Sequence, residues 1–159
     1  MATQLVMYEE EFTKINAVCD RLTKDANAKV VFLVDKNGQL ISSAGQTQNI
    51  DTTSLASLTA GNVAAMGGLA KLIGEAEFPN QFHEGAKDSL YMTIVGSRVV
   101  LVVIFDNRTS LGLVRLRIKK ASDELGKIFE SLVKKTDAPG AGSPFAEISD
   151  DDIDNLFSE

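Results

Sequence analysis

Residues 89–105 read SLYMTIVGSRVVLVVIF, two apolar stretches separated by the dipeptide Gly96-Ser97. Valine, isoleucine, tyrosine and phenylalanine favour the extended backbone of a β-strand. A two-residue break that contains glycine between two such stretches is typical of a tight hairpin turn. We therefore predict an antiparallel hairpin with strands at residues 89–95 and 98–105.

A second hairpin is predicted earlier in the chain. Residues 30–34 form a continuous apolar run, which indicates a strand that is covered on both faces. Asn37-Gly38 follows, and this dipeptide is a strong hairpin signal because both residues tolerate a positive φ. Residues 40–44 then return as the second strand. Between the two hairpins, residues 78–88 predict a short strand at the edge of a sheet.

Three helices are predicted from apolar residues that recur at steps of three and four. The first helix ends near residue 26, and its apolar stripe is Tyr8, Phe12, Ile15, Cys19 and Leu22. The second helix runs from a cap at Asp51 or Thr52 to about Gly74. Its expected core face is Leu55, Leu58, Met66, Leu69 and Ile73. The apolar residues of the third helix are Leu111, Val114, Ile118, Ala121, Leu125, Ile128 and Leu132.

The predicted elements follow the order α-β-β-α-β-β-β-α. Five strands in antiparallel hairpins form one sheet, and the helices are long enough to cover both of its faces. We therefore predict an α/β fold, a three-layer α-β-α sandwich with a five-stranded antiparallel sheet.

One side of the second helix is almost bare of side chains. Gly61, Ala64 and Gly68 recur at steps of three and four, and they are flanked by Ser57, Ala60, Ala65 and Gly67. Each glycine inside a helix costs about 0.5 to 1 kcal/mol relative to alanine. Three such glycines therefore require a physical reason, and close approach of another backbone would supply one.

The charge of the chain is divided between a body and a tail. The 159 residues carry a formal net charge of −6, yet residues 137–159 hold seven acids and no base, so the preceding residues carry +1. We predict a globular domain at residues 1–136, a flexible linker at residues 137–144 and an acidic amphipathic tail at residues 145–159. The apolar residues of that tail are Phe145, Ile148, Ile153, Leu156 and Phe157.

The sequence offers little chemistry of its own. The acidity argues against a nucleic-acid binder, and a single cysteine fits a protein of the reducing cytoplasm. The lone His83 lies on the predicted edge strand and Cys19 lies on a core face, so we assign neither a catalytic role. Residues 61–71 lack the Gly-Lys-Ser/Thr of a phosphate loop, and residues 150–152 lack the features of a calcium loop. We expect no catalytic residue, metal or cofactor.

Five segments together resemble the Roadblock/dynein light chain family, most closely bacterial members that regulate a Ras-like small GTPase. In chain order they are MYEEEFTKI, VVFLVDKNGQLISSAG, TAGNVAAMGGLAKLIGE, FHEGAKDSLYMTIVG and DDDIDNLFSE. The resemblance implies a Roadblock fold and a homodimer that pairs the second helices and third strands of two protomers. It also implies activation of GTP hydrolysis without an inserted arginine, in cell polarity and motility. One GTPase is expected per dimer, with the protein in the cytoplasm, concentrated at a cell pole.

The resemblance also assigns residues to contacts. The helix surface that binds the GTPase is expected to contain Gly61, Ala64, Ala65, Gly68 and Lys71. The apolar residues of the tail are expected to contact the GTPase elsewhere and to adjust nucleotide exchange. Apart from the resemblance, we also expect a secondary contact with the GTPase at Lys14, Lys120, Asp123 and Lys127.

Several alternatives stay open at this point. The bare helix side has a simpler interpretation, tight packing between the helices of a dimer. The tail has two others, a solvated acidic segment or docking onto Lys14, Lys120 and Lys127 of its own domain. For the whole protein, the runner-up is a purely structural Roadblock scaffold, and a ligand-sensing domain is the weakest alternative because the strands offer no polar group to orient a ligand.

Overall fold

The computed structural model describes residues 9–137, and its elements follow the predicted order. The helices are α1 (Glu9–Asp25), α2 (Thr52–Leu72) and α3 (Leu111–Asp137). The strands are β1 (Val30–Asp35), β2 (Leu40–Gly45), β3 (Asn80–Glu84), β4 (Ser89–Val95) and β5 (Val99–Phe105). The tail predicted at residues 145–159 lies outside the described residues.

The strands form one antiparallel sheet in the order β2-β1-β5-β4-β3. β1 joins the two predicted hairpins by pairing with β5, with Val30 opposite Ile104 and Asp35 opposite Val99. β3 lies at one edge, as the sequence predicted. The fold-class prediction, a five-stranded antiparallel sheet between helices, is confirmed.

The two faces of the sheet are covered unequally. α1 and α3 pack against each other on one face, over the larger apolar cluster that includes Val31, Leu33 and Leu101. α2 packs on the other face, against β1 and β2, over a smaller cluster that includes Phe32 and Val102. Since β1 contributes to both clusters, its continuous apolar run is explained. On the sheet face that packs against α2, the part near β4 is not covered by the helix.

The turn of the first hairpin differs from the prediction. Only Gly38 has a positive φ, at +96°, and Asn37 does not adopt one. The Gly38 N–H donates to the Asp35 carbonyl at 2.8 Å, and the pairing with β2 shifts register between Leu33 and Val34. Because this irregular turn has an extra residue, the chain reverses with only one residue in the left-handed conformation. Glycine adopts that conformation without strain.

The predicted core face of α2 is wrong for the isolated chain. The buried residues are Ala56, Thr59 and Ala70, whereas Leu58 is 73% exposed. Leu69 and Ile73 are also exposed, and only Leu55 and Met66 of the predicted face are partly buried. The helix places small side chains against the sheet because they permit close approach, and its large apolar side chains therefore face outward.

Smaller differences concern α1 and α3. On α1, Phe12 is exposed while Ile15, Cys19 and Leu22 are buried as predicted. On α3, Phe129 is buried and Ile128 only partly so. At 100° per residue, Phe129 lies about 40° from the fully buried Leu125 and Ile128 about 60° from it on the other side, so Phe129 is the nearer to the centre of the buried face.

Candidate functional site

A surface groove of about 560 Å³ runs along one side of α2, where that helix leaves part of the sheet uncovered. The helix wall includes Ala60, Ala64, Gly67 and Gly68, with Lys71 at the C-terminal end. The remaining lining is Lys36, Val63, Met66, Ala76, Glu77, Phe78 and Ile94. The bare side of α2 therefore borders a groove with an apolar floor and charged ends.

The start of α2 and the packing of its first turns position this wall. Asp51 caps the helix, since its carboxylate accepts from the Ser54 backbone N–H at 3.2 Å. Gly38 in the first hairpin turn lies against the helix, because a Cβ built there would be 3.6 Å from the Ser57 Cα. The helix is thus fixed from its N-terminal half, and the side with the small residues stays open.

The five residues predicted to bind a GTPase all lie on α2, and three of them, Ala64, Gly68 and Lys71, line this groove. Gly61, Ala64, Ala65, Gly68 and Lys71 are all exposed. A Cβ added at Gly61, Gly67 or Gly68 would meet no atom within 4 Å. No packing inside the described chain therefore requires glycine at these three positions.

Two charged residues of the groove were missed by sequence reasoning. Glu77, in the connection from α2 to β3, has a buried Oε1 atom with no hydrogen-bond partner among the described residues. Lys36, in the first hairpin turn, and Lys71 make no side-chain ion pair in that part of the chain. Neither Lys36 nor Glu77 belongs to a motif, so only the tertiary structure could bring them to the bare stripe.

A second exposed surface, the leucine ridge, adjoins the stripe. It consists of Leu58, Leu69, Leu72 and Ile73, with Leu72 83% exposed. At 100° per residue, Leu58, Leu69 and Leu72 lie on the outward side of α2, next to the stripe and opposite the sheet. Exposed apolar side chains grouped on one side of a helix are typical of a surface that contacts another protein.

The predicted secondary contact lies on the opposite layer, formed by α1 and α3. Lys14 is exposed and pairs with Glu10 at 3.2 Å within α1. Lys120, Asp123 and Lys127 are exposed on α3. Lys120 borders the seam with α1, whereas Asp123 lies beside a groove next to β4. The structure thus separates these four residues from the α2 surface by the thickness of the sheet.

The reactive side chains are placed as the sequence predicted. Cys19 is fully buried, and this burial raises the pKa of its thiol to about 11. His83 is exposed on β3, with Nε2 3.3 Å from the Gln81 Oε1 atom. Among residues 9–137 no three His, Cys, Asp or Glu side chains gather as a metal site would require. No helix in the described part is long and apolar enough to cross a membrane.

Comparison with known sequences agrees with this architecture. The sequence pattern of the Roadblock/LC7 domain matches residues 14–105, more than half of the chain. The chain belongs to the Roadblock/LC7 family. The matched part of this Roadblock/LC7 protein runs from α1 through β5, so it contains α2 and its groove. No curated protein sequence matches the chain.

Three solved structures resemble this Roadblock/LC7 protein along most of its length. Myxococcus xanthus MglB is 98% identical, covers 84% of this chain and 100% of its own, and superposes with a TM-score of 0.79. The gliding protein MglB of Thermus thermophilus is 32% identical over 82% of this chain and 99% of its own, with a TM-score of 0.76. An MglB described with a tetrameric arrangement is 30% identical over 83% and 99%, with a TM-score of 0.78.

Proposed function

We propose that this Roadblock/LC7 protein is a homodimeric activator of GTP hydrolysis by the Ras-like small GTPase MglA, acting in cell polarity and motility. Its 98% identity to Myxococcus xanthus MglB supports this assignment, since such similarity leaves little room for a different function. The protein is then a regulator that acts on a partner enzyme, in the cytoplasm and concentrated at a cell pole.

The single observation that carries the proposal is the bare stripe on α2. Gly61, Ala64 and Gly68 are exposed, and a Cβ atom added at either glycine would meet no atom within 4 Å. Glycines inside a helix lower its stability. Here no packing contact within the described part of the chain compensates for that loss. A partner backbone that approaches closely here supplies the missing reason, and a switch segment of the GTPase is that partner.

The groove next to the stripe adds polar recognition. The buried, unpartnered Glu77 Oε1 is ready to accept a hydrogen bond from the partner, and an unsatisfied buried carboxylate oxygen is costly. Lys36 and Lys71 offer two positive charges within the same lining. The small residues would therefore let the GTPase approach α2 closely, and these charged groups would fix the orientation of the bound GTPase.

Activation without a catalytic residue is consistent with the chemistry of phosphoryl transfer. The transition state is stabilised mostly by positioned charges and metal ions that the GTPase itself holds. An activator accelerates the reaction if it binds the ordered, hydrolysis-competent switch conformation more tightly than the alternatives. The stripe and groove would supply that differential binding, with one GTPase lying across the two α2 helices of a dimer.

The arginines of the domain fit this mechanism. Arg21 pairs with Glu124 between α1 and α3, and Arg108 pairs with Asp106 at 3.0 Å. Arg115 and Arg117 lie on α3, on the layer opposite the α2 groove. Arg98 is exposed just before β5. None of these five lines the groove, so none is placed to enter a GTPase site from α2.

The decisive experiment measures single-turnover GTP hydrolysis by purified MglA with and without this protein. The proposal predicts stimulation, and alanine at Arg21, Arg98, Arg108, Arg115 or Arg117 should leave it intact. No stimulation by the wild type would favour the purely structural Roadblock scaffold. Loss of stimulation with retained binding in one arginine variant would show an inserted arginine and overturn the mechanism.

A further inference from the structure

We propose that the acidic tail, residues 145–159, docks in a basic groove between α3 and β4 of its own protomer when no GTPase is bound. The groove has a volume of about 540 Å³ and lies on the sheet face opposite the α2 surface. The proposal rests on the proposed function and extends the tail contact that the family resemblance implies, because the same segment is expected to reach the GTPase. Self-docking would make it a latch that the GTPase must release.

The groove has the chemistry of a site for an acidic, apolar segment. Arg115 and Lys119 line it, are exposed, and make no ion pair within residues 9–137. Its apolar lining consists of the buried Tyr91 and Ile118 and of Leu116, which is 61% exposed. Polar side chains of Asn80, Thr93 and Ser122 complete the wall. Asp123 is the one acid in the lining.

The charge of the lining is positive, because Arg115 and Lys119 outnumber the single acid. The other two bases of the sequence RLRIKK, residues 115–120, line the seam between α3 and α1 instead. The Ser122 Oγ atom, also in the groove lining, is buried without a hydrogen-bond partner in the described structure. The charges without ion pairs and this hydroxyl without a hydrogen bond indicate that another segment supplies their partners, outside the described residues.

The tail matches this surface in charge and in apolar content. Residues 145–159 carry six acids and no base, together with five large apolar residues. A segment of this kind cannot bury its apolar side chains alone, because a short helix is marginal in water. Against the groove, the apolar residues would cover Leu116 and the acids would pair with Arg115 and Lys119.

The linker is long enough for docking on the same protomer. From Asp137 back to Ser122, α3 spans about 22 Å at 1.5 Å per residue. The seven residues 138–144 reach at most about 23 to 25 Å when extended. The tail can therefore begin near Ser122 and run alongside α3 toward its N-terminal end at Leu111.

The test uses the full-length protein with a nitroxide label at Ser158→Cys. Native Cys19 is fully buried, so the label attaches to the introduced cysteine alone. In spectra of the 15N-labelled chain, latching predicts that the amide signals of Gly112 and Ser122 lose half or more of their intensity. This loss should disappear at high salt, which screens charge pairs at a surface.

Two charge-reversal variants make the test specific. Arg115→Glu with Lys119→Glu should restore the amide intensities, and the matched pair Lys87→Glu with Arg98→Glu should leave the loss unchanged. Both control residues are exposed and lie outside the groove. Full intensity in the labelled wild type, or equal effects of the two pairs, would overturn the proposal.

A mixed sample separates docking within a protomer from docking on a partner copy. When 15N-labelled chains without nitroxide are mixed with unlabelled chains that carry it, latching within a protomer predicts no loss of intensity. A loss there would show exchange of tails between protomers and contradict the latch. All these measurements are made without GTPase, so their result stands apart from the hydrolysis assay. Addition of GTP-loaded MglA should then restore the signals if the proposed function is also correct.

Discussion

Glu11, near the start of α1, is a buried carboxylate that makes an ion pair with Lys135 near the end of α3. The Lys135 ammonium, through its hydrogen bond, holds the pKa of the Glu11 carboxyl below its ordinary value. The periodicity of α1 did not predict this burial, because a glutamate in the first turn of a helix is usually explained by the helix dipole. The contact joins residues 124 positions apart and became visible only in the fold.

Replacing Glu11 with glutamine should lower the free energy of unfolding at pH 7 by about 1 to 2 kcal/mol, since a charged hydrogen bond is lost at a partly exposed partner. A carboxyl with a lowered folded pKa stabilises the protein above its unfolded pKa, near 4.5. That contribution is lost as the pH falls through the folded value, so wild type and variant should converge in acid.

Urea denaturation from pH 7 to pH 3 measures this difference. Glu10→Gln is the matched control, because Glu10 is in the same turn, is exposed and lies 3.8 Å from the same lysine. We expect it to change stability by less than about 0.5 kcal/mol. Equal effects of the two substitutions would show that the buried ion pair has no special role.

The thiol of Cys19 should be nearly inert in the folded protein. Burial raises its pKa to about 11, so only a minute thiolate fraction exists at pH 8. We expect its reaction with a disulfide reagent to be at least about 100-fold slower than in the unfolded chain. A Ser97→Cys variant, with the new thiol in the exposed second hairpin turn, provides the fast-reacting control. A similarly fast reaction at Cys19 would show that α1 opens readily.

At the scale of elements, α2 is the helix whose environment the sequence predicted least well. Its apolar residues surround most of the helix, with leucines on one side and alanines, glycines and Val63 on others. Spacing alone therefore does not decide which side faces the sheet, and it wrongly favours the leucines. Ala56, Thr59 and Ala70 are the buried residues of α2, whereas both the bare stripe and the leucine ridge are exposed.

The bare stripe predicts the effect of bulky charges on α2. Ala64→Arg with Gly68→Arg should keep the fold, because both positions are exposed and a Cβ at Gly68 meets no atom. Stimulated GTP hydrolysis by MglA should nevertheless be lost, since burying two unpaired guanidinium groups against the partner is costly.

Circular dichroism and single-turnover hydrolysis together test the double variant. The control pair Ala17→Arg with Ser131→Arg adds the same charges at exposed positions of α1 and α3. We expect the control to stimulate as the wild type does. Normal stimulation by the Ala64, Gly68 variant would mean that the GTPase surface lies elsewhere.

The leucine ridge predicts where two copies of the chain meet. Leu72→Glu should leave the monomer folded, since the Leu72 side chain is largely exposed in its own chain. In a two-fold dimer each substitution acts twice, and a buried leucine contributes about 1.5 to 3 kcal/mol. The dimer dissociation constant should therefore rise by at least about 100-fold, as measured by sedimentation equilibrium. Leu116→Glu on α3 is the matched control, and a dimer unaffected by Leu72→Glu would move the interface away from the ridge.

For the whole molecule, the sequence predicted what depends on local chemistry. The element order and the three layers follow from short-range patterns, and the structure confirms them. The hairpin turns differ in detail, because only Gly38 has a positive φ in the first turn and the second turn has three residues, 96–98, instead of two. The groove beside α2 depends on the orientation of that helix on the sheet, and a helix without a single apolar face does not predict this orientation. Lys36 and Glu77 belong to separate connections, so the sequence did not predict that they line the groove. The tail, residues 145–159, lies outside the described residues, and its role stays a prediction.

Removing the tail should separate the two effects on the GTPase. With residues 139–159 deleted, the α2 surface is unchanged, so stimulated hydrolysis in a single turnover should persist. Nucleotide exchange on MglA should fall toward the rate of the GTPase alone, because the second contact is lost. A tail that only keeps the protein in solution would leave both rates unchanged.

A full-length variant identifies which part of the tail acts on exchange. Ile153→Ser, Leu156→Ser and Phe157→Ser together keep every acid and remove most of the apolar surface. If the apolar side chains dock on the GTPase, this variant should match the deletion in an exchange assay with a fluorescent nucleotide. If charge alone attracts the tail, the variant should match the wild type instead, and its effect should weaken as salt is raised. Normal exchange with both the deletion and the triple variant would contradict any contact between tail and GTPase.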